Sequence, residues 1–234
     1  MISNKMTFLL AITGVLIGGC SPQASPQTYL PAPAAAPFSS PATPVVQAAI
    51  DDVGRYGENI YDMAKTGDWQ QATSDLAWLK EAAGKLPAEV NGNGREQVQL
   101  DDTIQALEKA ITEKNRERAT GEANQITWIG ADLAAQFKSP VPIEVTRLDY
   151  YGRQLEISSS QKDEARLKAT AADMVIAWNA LRPPLEAAGG ATEAEQFGKL
   201  VAQVQAAQSA ADFGKLATPV LDEVDNLEKV FTRK

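Results

Sequence analysis

The side chains that enzymes most often use for chemistry are scarce in this sequence. Among its 234 residues there is no histidine, and there is only one cysteine, Cys20. A nucleophile activated by histidine cannot be built without an imidazole. Zinc and haem sites that need imidazole ligands are excluded for the same reason. General acid–base chemistry would rest on carboxylates, lysine or tyrosine. We therefore predict no cofactor and no enzymatic activity.

Carboxylates are the one chemically active group that occurs in clusters. Asp222 and Asp225 lie three residues apart on a predicted helix, so they are neighbours on its surface. Because Ca²⁺ and Mg²⁺ prefer oxygen ligands, these two aspartates are candidate ligands of a cation. Their spacing does not follow an EF-hand loop. Acidic residues on a helix usually form a solvated face, and that is the interpretation we favour.

Cys20 ends a short apolar segment near the N-terminus. Lys5 is the only charged residue before it, and the 14 residues from Met6 to Gly19 are uncharged and mostly apolar. As a helix they would be roughly 21 Å long, which is too short for a bilayer core of about 30 Å. Small residues directly before the cysteine are typical of a signal-peptidase site. We predict a signal peptide over residues 1–19, cleaved between Gly19 and Cys20.

The residues Ile17-Gly18-Gly19-Cys20 match a lipobox, and residues 1–20 resemble the signal of bacterial lipoproteins. The resemblance implies that the thiol and the new amino group of Cys20 are acylated. Two or more acyl chains anchor a protein stably to a membrane. Ser21 after the cysteine is compatible, in this class, with an outer-membrane lipoprotein that faces the periplasm, with the inner membrane or the cell surface as alternatives. An ordinary signal peptide or a buried free cysteine is the other interpretation.

The segment that follows Cys20 is predicted to be a tether over residues 20–44. Ser21 to Pro44 contains no charged residue and seven of the 13 prolines. Such a segment cannot bury a core, so we predict that it is extended or disordered. Its expected role is to space the rest of the protein from the membrane.

From Val45 onward the apolar residues recur at helical spacing, and strand signals are nearly missing. We predict eight helices in two sets of four, residues 45–139 and 140–234, divided at Ser139-Pro140-Val141-Pro142. Each set is long enough for a core of its own. The predicted fold is all-α, with two consecutive four-helix bundles.

Prolines and caps indicate where individual helices begin and end. Gly67 and Asp68 are a predicted C-cap and N-cap, and Asp163 is a second N-cap. Pro183-Pro184 is predicted to begin the connection after the sixth helix, and Pro219 to lie near the first turn of the eighth.

The two sets of helices align as a diverged internal repeat. A shift of 95 residues relates Gly57 to Gly152, Asp68 to Asp163, Leu79 to Met174 and Gly94 to Gly189, and a shift of 94 relates Leu133 to Leu227 and Phe137 to Phe231. Because caps, breakers and apolar positions share nearly one shift, we predict a duplication.

Three tryptophans lie beside the predicted apolar stripes. They are Trp69, Trp78 and Trp128. A large aromatic side chain at the edge of a stripe either covers the core or meets a partner. We favour the first role and retain all three residues as candidate partner contacts.

The net charge of −8 argues against nucleic acid as a partner. The sequence therefore predicts a membrane-tethered envelope lipoprotein that acts as a non-enzymatic interaction or scaffolding module, with another envelope protein as partner. The alternative is a lipid-anchored periplasmic protein that binds a small ligand or cation. A polar cavity between helices would favour the alternative, and an exposed apolar or aromatic patch would favour the interaction module.

Overall fold

The computed structural model describes residues 43–87, 95–137, 139 and 141–233, apart from the side chains of residues 95 and 96. Within these ranges the chain forms eight α-helices and no strand, which confirms the all-α prediction. The helices are α1 (Pro44–Thr66), α2 (Trp69–Gly84), α3 (Arg95–Thr112), α4 (Arg116–Ala134), α5 (Ile143–Gln161), α6 (Glu164–Ala187), α7 (Ala191–Ala206) and α8 (Ala210–Thr232). The predicted signal peptide, Cys20 and nearly all of the predicted tether lie outside the described residues.

Local hydrogen bonds explain where the helices begin. The Asp68 carboxylate accepts a hydrogen bond from the Gln71 backbone amide at 3.0 Å, and the Asp163 carboxylate accepts one from Arg166 at 3.0 Å. Both interactions satisfy a helical N–H that has no partner within its own helix. The predicted caps at these two aspartates are therefore confirmed.

The residue before each of these two caps has a left-handed backbone conformation. Gly67 has φ 83° and ends α1, and Lys162 has φ 56° and ends α5. Glycine adopts this conformation without steric cost, whereas lysine does so with strain. The two helix–helix turns thus share one backbone shape despite their different residues.

Two predictions from proline are wrong. Helix α6 continues through Pro183 and Pro184 to Ala187, because Leu185 is fully buried in the core and holds the last turn. The carbonyls that lose their helical donor to these prolines belong to Asn179 and Ala180, which are exposed and can bond to water.

Pro219 lies well inside α8 rather than near its first turn. The helix starts earlier because Ser209 and Asp212 form a reciprocal capping box at its N-terminus. Four residues before Pro219 lies Lys215, which is exposed, so its carbonyl can also be solvated.

The buried apolar side chains fall into two clusters. The first is contributed by α1 to α4 together with Ile157 of α5, and the second by α5 to α8. Leu79 in the first cluster and Leu227 in the second are both fully buried. Burial of these stripes is the main source of stability, since the described helices carry no disulfide.

Close helix approaches occur at glycines in both sets. A side chain at Gly57 of α1 would place its Cβ 2.9 Å from the Thr127 backbone nitrogen of α4. A Cβ at Gly152 of α5 would lie 2.6 Å from the Leu221 side chain of α8. Glycine at these positions lets α1 approach α4, and α5 approach α8, more closely than any larger residue would allow.

Helices α4 and α5 are consecutive and pack against each other, so the two sets of helices touch. None of the described helices is long and apolar enough to cross a membrane.

Candidate functional site

The predicted cation ligands Asp222 and Asp225 both lie on the exposed surface of α8. Across the described ranges, no group of three or more aspartate, glutamate, histidine or cysteine residues is arranged to hold a metal ion. The geometry adds no further ligand to this pair.

The three candidate tryptophans have different surroundings. Trp69 is half-buried against the first apolar cluster. Trp128 is half-buried against the second, with its ring centroid 4.9 Å from that of Tyr150 and the Arg147 guanidinium 5.6 Å above it. Trp78 is 53% exposed. Trp69 and Trp128 thus cover core edges, as we favoured, and Trp78 is the one of the three that is free to meet a partner.

An open groove of about 440 Å³ runs between α6 and α7. Its apolar lining includes Val175, Trp178, Ala194, Gly198, Val201 and Ala202. Trp178 packs on Phe197 with ring centroids 5.1 Å apart, so the indole is held rigidly. Gly198 lies in this lining, and a Cβ there would be 3.8 Å from the Trp178 ring, in ordinary contact.

The charged side chains on the rim of this groove are paired within their own helices. Lys199 bonds Glu195 at 2.7 Å on α7, and Arg182 bonds Glu186 at 2.8 Å on α6. The rim is therefore close to neutral. Ile176, the residue after Val175 on α6, is 69% exposed. This region can accept an apolar side chain.

A second candidate region lies where α1 meets α5. Arg153 of α5 is only 8% exposed and forms an ion pair with Asp149 one turn earlier. Its guanidinium also lies 4.0 Å from the Glu58 carboxylate of α1, and 5.4 Å from the centre of the Tyr61 ring. Arg153 is thus a buried cation shared between two helices from different sets.

Tyr61 and Lys65 of α1 reach the same neighbour on α5. The Tyr61 hydroxyl donates to the Glu156 carboxylate at 2.9 Å, and the Lys65 ammonium bonds it at 2.8 Å. Burial, the negative charge of Glu156 and the hydrogen bond to it raise the pKa of Tyr61, so this phenol stays protonated and remains a donor.

Polar side chains also fill the contact between α4 and α5. Buried polar residues on these two helices include Thr120, Asn124 and Thr127 on α4 and Gln154 and Ser158 on α5, and Thr127 lies beside Gly57 of α1. The Asn124 side-chain amide donates to the Tyr150 backbone carbonyl at 3.2 Å, whereas its own oxygen has no hydrogen-bond partner. Helices α4 and α5 therefore meet through polar and aromatic contacts, since Trp128 of α4 also packs on Tyr150 and Tyr151 of α5.

Arg153, Glu58 and the groove were not predicted from the sequence. Asp149 and Arg153 are an i, i+4 pair, which on an isolated helix is typical of a surface ion pair. The structure shows buried residues on nearly every side of α5 between Tyr151 and Ser158, and no local pattern in the sequence indicates this.

Comparison of the chain with protein-family models, with curated proteins and with solved structures gives no match, so its function has to be argued from its own residues.

Proposed function

We propose that this chain is a lipid-anchored protein of the bacterial envelope whose helical body binds another envelope protein and catalyses no reaction. Residues 1–19 are its signal peptide, Cys20 its acylated anchor and residues 20–44 its tether. The outer membrane, on the periplasmic side, is the proposed location. The lipobox at residues 17–20 supports the anchor.

The observation that carries the binding role is the α6–α7 groove with Ile176 beside it. An open groove lined by apolar side chains, with an exposed isoleucine next to it in sequence, is characteristic of sites where one partner inserts an apolar side chain. The neutral rim favours a partner whose contacting segment is mostly uncharged. The groove is open to solvent along both helices, which suits a protein segment better than a small ligand that must be enclosed.

The binding role can be tested by filling the groove. Gly198→Leu adds a side chain over Trp178 without displacing backbone, since the Cβ sits in ordinary contact distance. Gly121→Leu on α4 is the matched control, because a Cβ there meets no atom within 4 Å. A photo-reactive amino acid that replaces Ile176 forms a covalent cross-link to the partner in intact cells.

We expect a discrete cross-linked adduct from the label at position 176. Gly198→Leu should abolish that adduct and Gly121→Leu should preserve it. An adduct that survives Gly198→Leu, or the absence of any adduct in the unmodified groove, would refute the proposed site.

We further propose that the body consists of two four-helix bundles, residues 45–139 and 140–234, that arose by duplication. The N-caps Asp68 and Asp163, and the left-handed residues Gly67 and Lys162, are each 95 residues apart and support this arrangement. The division of the buried apolar side chains into two clusters also agrees with it.

Fragments divided after residue 139 test this arrangement. Each should be helical and should unfold cooperatively, because its apolar cluster lies almost wholly within its own four helices. If both fragments are unfolded in isolation, the two sets of helices form a single cooperative unit and the domain division is incorrect.

A further inference from the structure

Helix α6 carries an apolar stripe on its solvent-exposed side. Seven exposed apolar residues follow one another at spacings of four, three, four, four, three and four: Ala165, Ala169, Ala172, Ile176, Ala180, Pro183 and Ala187. We use the name α6 stripe for these residues. At 3.6 residues per turn they all lie within about 40° of the direction of Ile176, and no charged residue lies among them on this line. Ile176, at the centre, is 69% exposed.

The corresponding helix of the first set has a polar surface at these positions. Ninety-five residues earlier, Glu81 of α2 takes the place of Ile176, and Ser74 takes the place of Ala169. Both residues of α2 are exposed. A helix face in contact with water is usually polar, as it is on α2. The run of exposed apolar residues on α6 is instead typical of a face that meets another molecule.

The spacing of the α6 stripe is symmetric about Ile176. Its members lie 4, 7 and 11 residues before Ile176 and 4, 7 and 11 residues after it. If two copies of α6 are antiparallel, with the Ile176 residues opposite each other, Ala172 of each copy lies opposite Ala180 of the other. Ala169 lies opposite Pro183 in the same way. A two-fold dimer requires such self-complementarity. Because most of the stripe is alanine, the two helix axes can approach to about 8 Å.

Charged residues beside the α6 stripe are complementary in this arrangement. Lys168 and Glu186 lie on the same edge of the stripe, eight residues before and ten residues after Ile176. Lys168 of one copy is therefore only about 3 Å along the helix axis from Glu186 of the other. Glu186 also bonds Arg182 of its own helix, so one carboxylate joins two cations. Asp173, on the other edge, is about 9 Å along the axis from its counterpart, a distance at which salt weakens the repulsion of exposed charges.

We propose that the α6 stripe is a dimer interface, at which two copies of this chain pair through antiparallel α6 helices about a two-fold axis at Ile176. The groove between α6 and α7 stays open in this dimer, because Val175 and Trp178 in its lining lie at least about 100° from Ile176 around the α6 axis. The dimer therefore does not depend on the partner proposed for the groove. It presents two grooves, which raises the avidity for a partner that carries two binding segments.

Single cysteines test the register of the pair. Each is placed in a chain that carries Cys20→Ser, so that no other thiol reacts, and the purified chains are oxidised. A disulfide forms only between residues whose Cα atoms are less than about 7 Å apart. Ile176→Cys lies on the axis and should cross-link to its own counterpart. Ala172→Cys and Ala180→Cys should each stay uncross-linked, because like positions are about 12 Å apart along the axis, but the two chains should cross-link when they are mixed.

Sedimentation velocity measures the dimer without a cross-link. Ile176→Glu introduces the residue found at the corresponding position of α2, and it should raise the dissociation constant about tenfold or more. It removes two central apolar side chains and brings two like charges together. Ala77→Glu, at the exposed α2 position that corresponds to Ala172, is the matched control and should leave the dimer unchanged. Gly198→Leu, which fills the groove, should also leave it unchanged. Circular dichroism verifies that each variant is folded.

Several results would overturn the proposal. They are a chain that is monomeric at every concentration, and a dimer that Ile176→Glu does not weaken. Cross-linking of Ala172→Cys and of Ala180→Cys each with itself, but not with each other, would indicate a parallel pair and would equally overturn it. Loss of the dimer in Gly198→Leu would place the contact between copies in the groove instead. A cross-link between two copies contains only this chain, so it is distinct from the adduct with another protein that tests the groove.

Discussion

Replacing Arg153 by methionine would test how much the buried charges between α1 and α5 contribute to stability. The arginine is 8% exposed, forms an ion pair with Asp149 and lies 4.0 Å from Glu58. Methionine has a similar length and fills the same space, but it removes the charge. Asp149 is then left as a largely buried carboxylate without its cation.

The loss of stability caused by Arg153→Met depends on how deeply its two carboxylate partners are buried. Removing one partner of a buried ion pair costs about 3–5 kcal/mol. The side chain of Asp149 is 14% exposed and that of Glu58 is 36% exposed, so water can recover part of the lost interaction. We therefore expect the free energy of unfolding to fall by about 3 kcal/mol, at the lower end of the range for a buried pair.

The assay is urea unfolding followed by far-ultraviolet circular dichroism. The matched control is Arg166→Met, which removes an exposed pair with Asp163, whose side chains are 44% and 43% exposed. That change should cost no more than about 1 kcal/mol. Adding Asp149→Ala to Arg153→Met should recover much of the loss, because the stranded carboxylate is removed.

Two results would refute the reasoning. If Arg153→Met lost no more stability than Arg166→Met, the burial of Arg153 would not increase the contribution of its ion pair to the free energy of unfolding. If Asp149→Ala made the Arg153→Met chain still less stable, the cost would come from lost packing rather than from an unpaired charge.

Further expected outcomes concern packing, the core and the anchor. Gly121→Ala should raise the free energy of unfolding by about 1 kcal/mol, since the position is open and alanine favours helix. Gly130→Ala on the same helix should instead lower it by about 1 kcal/mol, because its Cβ would lie 3.0 Å from the Gly54 backbone and the overpacking outweighs the gain. Equal effects would contradict the close approach of α1 and α4. Leu227→Ala should cost about 2–5 kcal/mol, and a loss within about 0.5 kcal/mol would mean that its burial is misjudged. Cys20→Ala should abolish incorporation of labelled fatty acid, and unchanged labelling would rule out the lipid anchor.

The residues that could be interpreted from the sequence are those whose effect is local. Asp68 and Asp163 cap helices through hydrogen bonds to amides three residues away, so their role is visible in the spacing alone. The apolar repeat that contains Leu79 and Leu227 likewise predicts which face of a helix is buried. Proline was the exception among the local signals, because burial of Leu185 outweighs the cost of a proline within the last turns of α6.

The sequence by itself determined the helical class, the main caps and the two sets of apolar stripes, because each depends on residues within one or two turns of each other. Only the tertiary structure decided which helices surround α5, and hence that Arg153 is buried rather than solvated. It also decided that Trp178 and Gly198 line one groove between α6 and α7, and that Glu58 of α1 lies 4.0 Å from Arg153 of α5. These features depend on residues far apart in the chain, whose distances are set by how whole helices pack and not by any local pattern.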